Sequence, residues 1–156
     1  GMDSLKEAQA IVAGGQEKIA EAIYGGKWGE ENLGNKPSSG DSFDFRGRGF
    51  VQLTGRSNYE HYGKAVGLDL ANHPELASDQ KNAATLAVQL WKEKVVAHHH
   101  HHDVTHATKD INAGENGLPE RKIAAADWEK RLTPQVKAGA VPGGDGRDRP
   151  IELAFG

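Results

Sequence analysis

Apolar residues recur at helical spacing along most of this chain and alternate with polar ones in one short stretch. Leu5, Ala8, Ile11 and Val12 mark the face of a first helix, with Asp3 or Ser4 as its cap and Gly14-Gly15 as its end. Ile19, Ala20, Ile23 and Tyr24 continue on a second helical piece. Residues 25–44 are rich in glycine, asparagine and serine and read as a loop. Residues 57–66 read as a helix capped by Ser57 and stopped by Gly67. Ser78-Asp79 opens the strongest helix, in which Ala83, Leu86, Ala87, Leu90 and Trp91 share a face up to about Val95. Asp103 caps a further helix carrying Val104, Ala107, Thr108 and Ile111, ending at Gly114. Pro119 suits the first turn of a last helix, with Ile123, Ala124 and Trp128 expected inward and Pro134 as its stop. The exception to the helical period is Phe50-Val51-Gln52-Leu53-Thr54, whose alternation predicts a short half-buried strand. The pattern predicts a mainly α domain over residues 2–133 with one extended element near 50–54. A Gly/Pro-rich tail follows over residues 134–156.

Composition narrows the function classes. A chain of 156 residues has the length of one compact domain, and its 20 glycines favour many loops around a single core. A net charge of -3 argues against nucleic acid as a partner. With no cysteine there is no disulfide framework and no thiolate site. No apolar run reaches the length of a membrane helix, and no basic-then-apolar leader opens the chain. Gly1 before Met2 reads as a scar of tag removal. No cofactor is expected.

Chemistry concentrates in the run from Phe45 to Tyr59. Gly47, Gly49 and Gly55 allow close approaches that a Cβ would block, and Arg46, Arg48 and Arg56 offer planar forks of donors. Gln52, Thr54, Asn58 and Tyr59 can read hydroxyls and amides. The three arginines are expected to tie loops together through carboxylates. Polar side chains beside glycine turns suit the floor of a binding groove.

This run, with the pieces around it, resembles the signature of family 19 glycoside hydrolases, the chitinases and related endolysins of the lysozyme superfamily. Tyr24-Gly25-Gly26-Lys27, Gly34-Asn35, Gly40-Asp41, the Phe45–Tyr59 run, and Asp110-Ile111-Asn112-Ala113-Gly114 with Asn116-Gly117-Leu118 and Arg121 stand in the family's order. The resemblance covers about residues 8–132. Lys27 departs from it, standing where the family has an arginine. It implies a lysozyme-like helical fold and an inverting hydrolase of β-1,4-linked N-acetylhexosamine polymers, chitin or peptidoglycan. Gln52 and Asn58 would then bond the sugar and its N-acetyl group, and Thr54 would help hold the attacking water. Tyr59 and Asn112 would line the cleft, and Arg121 would join a charge network behind it. Without a visible leader, an endolysin or injected cell-wall effector, made in a bacterial or phage-infected cytoplasm, fits better than a secreted chitinase.

Glycoside hydrolysis takes two carboxyl groups. In the family the acid lies in a His-Glu element before the Tyr-Gly-Gly motif, with the basic glutamate shortly after it. No His-Glu element occurs in this chain. The resemblance therefore implies that both usual catalytic glutamates are missing, leaving Glu30 and Glu31 as the carboxylates that could substitute. The alternative is a non-catalytic fragment or degenerate homologue that binds amino-sugar polymers. A missing lobe would bare apolar surface, for which a homodimer or an upstream partner lobe is the expected cover. The His98–His102 run, with His106 nearby, reads as a solvated loop without the fixed spacing a metal site needs, so no metal is expected.

Overall fold

The computed structural model describes residues 5–137, with side chains described as far as residue 132. Ten helical elements follow one another among the described residues, and no strand is present there. They are α1 (Leu5–Ala13), α2 (Gly15–Tyr24), α3 (Gly26–Leu33), the single turn α4 (Asp41–Asp44), α5 (Arg56–Val66), a 3-10 turn (Pro74–Ser78), α6 (Gln80–Trp91), a π turn (Lys92–Val96), α7 (Val104–Asn112) and α8 (Leu118–Lys137). No helix among the described residues is long and apolar enough to cross a membrane. The chain divides into two compact units, Gly1–Glu93 and Lys94–Gly156.

Local chemistry explains most of these boundaries. Asp79 and Asp103 cap α6 and α7, each carboxylate accepting the backbone N–H groups two and three residues on. Asp3 and Ser4, the expected caps of α1, lie outside the described residues. The helix at residues 56–66 departs from expectation at its start: α5 is entered through Gly55, and Ser57 makes no cap. Gly55 has φ +91°, and a Cβ there would meet the Leu33 carbonyl oxygen at 2.9 Å, so glycine is required on both counts. Within the expected loop, residues 26–33 instead form α3, bracketed by Gly25 and Gly34. Gly25 and Gly34 mark the helix ends, while Gly29 lies buried inside the helix, where a Cβ would meet the Tyr24 carbonyl oxygen.

In the first unit, Phe45, Leu53, Tyr59, Tyr62, Leu70, Ala77 and Leu86 form one buried cluster. Val66, Leu68 and Leu90 pack against it. Enclosing a side chain such as Phe45 or Leu70 contributes about 1.5–3 kcal/mol. Leu5, Val12, Ile23 and Trp28, on α1 to α3, stay exposed.

In the second unit, Ala107 and Thr108 of α7 are buried, as is Leu118 at the start of α8. Two expectations fail on α8. Ile123 and Trp128 are 72% and 58% exposed rather than inward, and Ala124 is exposed as well. Their helical spacing produced an apolar face that stays exposed, with the Arg131 guanidinium over the Trp128 ring at 5.8 Å. The helix also runs through Pro134 to Lys137, so the expected tail begins inside α8 and its remainder lies outside the described residues.

Candidate functional site

The stretch expected as a strand is a tight hairpin. Arg48 and Leu53 form an isolated antiparallel bridge, exchanging N–H···O bonds of 3.2 and 2.9 Å, and Gly49 to Gln52 make the turn between them. Gly49 has φ +69°, and a Cβ there would meet the Ala77 carbonyl oxygen at 2.9 Å. Gln52 itself has φ +51°, a conformation rare for residues with a side chain. Alternation was therefore only half right. Leu53 is buried, while Phe50 at the turn's apex is 66% exposed.

A frame of motif residues holds this hairpin. Arg56 pairs with Asp41 in a two-pronged bond, Nε to Oδ2 at 2.6 Å and a terminal nitrogen to Oδ1 at 2.7 Å. Lys36 N–H also donates to Asp41 at 2.8 Å. The guanidinium hydrogen bonds hold the Asp41 carboxyl down to a pKa of about 2, against the opposing effect of burial. Asn35, 2% exposed, donates to the Tyr24 carbonyl at 2.9 Å and accepts from Arg56 N–H at 3.0 Å. Tyr59 is fully enclosed. Its hydroxyl donates to the Arg46 carbonyl at 2.7 Å and accepts from Arg48 at 3.0 Å. Burial pushes the Tyr59 phenol up.

Tyr59 therefore supports the hairpin from beneath and does not line an open surface, which corrects the expectation of a cleft-lining tyrosine. The arginines are structural as expected, but only Arg56 works through carboxylates, Asp41 and Glu60. Arg46 donates to the Phe43 carbonyl and lies over the Phe43 ring, and Arg48 donates to the Asp44 carbonyl.

Gln52, Thr54 and Asn58 are brought together around the hairpin. Each spends one polar atom on the local backbone. Gln52 donates to the Gly49 carbonyl at 3.1 Å, Thr54 to the Gln52 carbonyl at 2.7 Å, and Asn58 to the Thr54 carbonyl at 2.7 Å. These bonds fix the side chains while Gln52 Oε1 and Asn58 Oδ1 accept none among the described residues, and both residues are exposed. Gly47 lies below. A Cβ there would sit 2.9 Å from Gln52 Oε1 and 3.2 Å from Thr54 Oγ1. Sequence reading named Gly47 only as a permissive glycine; its place under two converging oxygens needed coordinates.

Asn112 and Arg121 meet in the second unit. With the Asn112 amide oxygen turned toward it, Arg121 donates at 2.7 Å, and it also donates to the Asn116 carbonyl. Arg121 thus closes the loop between α7 and α8 through amides, where a charge network was expected, and both side chains are exposed. Glu30 and Glu31 lie exposed on α3, with Glu31 3.6 Å from Lys27. Neither sits in the apolar enclosure that a general acid requires.

Residues 21–118 match the family described as "Chitinase class I". The chain belongs to glycoside hydrolase family 19. A family 19 domain-containing protein of Haemophilus influenzae is 36% identical over 106 residues, covering 67% of this chain and 49% of that protein. An acidic 27 kDa endochitinase of Solanum lycopersicum is 40% identical over 73 residues, 46% of this chain and 28% of the relative. Chitinase 8 of Oryza sativa is 33% identical over 87 residues, 45% of this chain and 33% of the relative. The chain thus spans about half the length of the Haemophilus relative and less of the plant ones. The matched region includes the Asn35–Asp41–Arg56 frame, the hairpin, α7 and Asn112. Arg121 lies just beyond it.

Proposed function

We propose that this family 19 chain acts on β-1,4-linked N-acetylhexosamine polymers, chitin or peptidoglycan, through a glycan-binding surface on the hairpin. Gln52 Oε1 and Asn58 Oδ1 would accept from sugar hydroxyls or the N-acetyl N–H, with Thr54 between them. The observation that carries this reading is the pinning of three polar side chains by local carbonyls while Gln52 and Asn58 stay exposed. Fixed side chains lose little rotamer freedom when they engage a ligand. The plant relatives' chitinase names favour chitin.

Cleavage by a family 19 domain would proceed with inversion, a water activated by one carboxylate while a second carboxylic acid protonates the leaving oxygen. The exposed setting of Glu30 and Glu31 instead favours the second reading, glycan binding without hydrolysis by this chain alone. Incubation with chitin and peptidoglycan suspensions separates the two. The chain is expected to sediment with the polymer and leave turbidity unchanged. Clearing would establish hydrolysis, and Glu30→Gln and Glu31→Gln would then show whether either residue carries it.

A further inference from the structure

The histidine run is held in place, contrary to the expectation from its composition. His99 N–H donates to the Val96 carbonyl at 2.9 Å, His100 N–H to Val95 at 3.1 Å, and Asp103 N–H to His100 at 3.0 Å. His99 has φ +60°, a left-handed kink between His98 and His100. Both flanking rings meet a carboxylate from α7. His100 Nδ1 is 2.7 Å from one Asp110 oxygen, and His98 Nδ1 is 3.7 Å from the other. One ligand atom from each of His98, His100 and Asp110 lies within 4.8 Å of the other two.

We propose that His98, His100 and Asp110 form a zinc site that clasps the histidine loop to α7. Two imidazoles and a carboxylate, with no thiolate in the chain, are a donor set for borderline divalent cations, of which zinc is the representative tested below. A tetrahedral zinc with bonds of about 2.0–2.1 Å sets its ligands roughly 3.3 Å apart. The two nitrogen–oxygen contacts run to different Asp110 oxygens, 2.7 Å from His100 and 3.7 Å from His98, so the carboxylate faces both rings and side-chain rotation brings one oxygen and the two nitrogens to that spacing. The wider gap closes by rotation of His98, which is 57% exposed. Zinc would displace the proton held between His100 Nδ1 and Asp110, and water would complete the coordination. His106 packs at 4.8 Å from the His100 ring and bonds Asp103 at 2.6 Å, which limits how His100 can turn. No sequence spacing announced this site, because its carboxylate lies ten residues beyond His100 on a different element.

The test is calorimetric titration of the full chain, free of any affinity tag, with Zn²⁺ alone. One zinc per chain is expected. Asp110→Asn, His100→Gln and His98→Gln should each weaken it by about tenfold or more. The double variant His99→Gln/His102→Gln, which keeps all three ligands, should bind as the parent does. His98→Gln alters only an exposed loop side chain, so it stays informative if Asp110→Asn disturbs α7. No zinc binding by the parent would overturn the proposal. So would unchanged affinity in Asp110→Asn, or affinity that tracks the number of histidines regardless of position, the behaviour of an adventitious polyhistidine chelate.

Discussion

Arg56 grips Asp41 with two parallel hydrogen bonds across fifteen residues of chain, joining the start of α5 to the start of α4. The Asp41 side chain is 3% exposed and that of Arg56 21%. The pair closes the loop on which the hairpin rests. Breaking a buried pair leaves the other charge without its partner, so Asp41→Ala is expected to cost about 3–5 kcal/mol in urea unfolding. A loss under about 1 kcal/mol would mean that the loop is held by other contacts.

The same pair gives a pH dependence. Asp41 titrates near 2 in the folded chain against an ordinary 3.8. A carboxyl held low in the folded state adds stability that is complete above the unfolded value and lost as pH falls through the folded one. Stability should decline between about pH 4 and pH 2, with roughly 2 kcal/mol of that decline belonging to Asp41. In Arg56→Gln that component of the acid limb should shrink, as read by unfolding midpoints across the range.

Gly47 separates the binding surface from the fold. Gly47→Ala would push a methyl group against Gln52 Oε1 and Thr54 Oγ1, which are side-chain ends able to shift. Chito-oligosaccharide affinity is expected to fall about tenfold, or 1.4 kcal/mol, with the melting temperature nearly unchanged. Gly55→Ala should do the reverse. Its φ of +91° and the nearby Leu33 carbonyl make it destabilising by about 1–3 kcal/mol, with little effect on the affinity of the chain that remains folded.

Tyr59→Phe tests the correction to that residue's role. Removing a hydroxyl that bridges the Arg46 carbonyl and Arg48 should cost about 1–2 kcal/mol of stability and leave glycan affinity of the folded chain as it was. Weakened binding at unchanged stability would put Tyr59 back on the glycan surface.

The helices were legible where a cap and an apolar period coincide, as at Asp79 with α6 and Asp103 with α7. The hairpin was not, because alternation in Phe50–Thr54 cannot reveal that Gln52 adopts a positive φ and turns the chain back. Nor was α3, which is flanked by Gly25 and Gly34 and tolerates Gly29 inside it. On α8 the apolar period was real, but Ile123 and Trp128 stay exposed. At the site, sequence offered the polar residues as one group of candidates. It could not tell Tyr59, spent on internal bonds, from Gln52 and Asn58, which keep an acceptor exposed. Asp41 and Asn35 were visible as motif letters, yet their work as ties to Arg56 and Tyr24 depends on contacts far along the chain.

The central claim is that the exposed amides of the hairpin bind amino sugars. It is tested most directly by titrating the chain with an N-acetylglucosamine oligomer and following the backbone and side-chain amides by NMR. The account predicts saturable shifts centred on Gln52, Thr54 and Asn58, with Gln52→Ala and Asn58→Ala each weakening binding by about 1–3 kcal/mol. An absence of binding in the parent chain, or binding that both substitutions leave untouched, would contradict it.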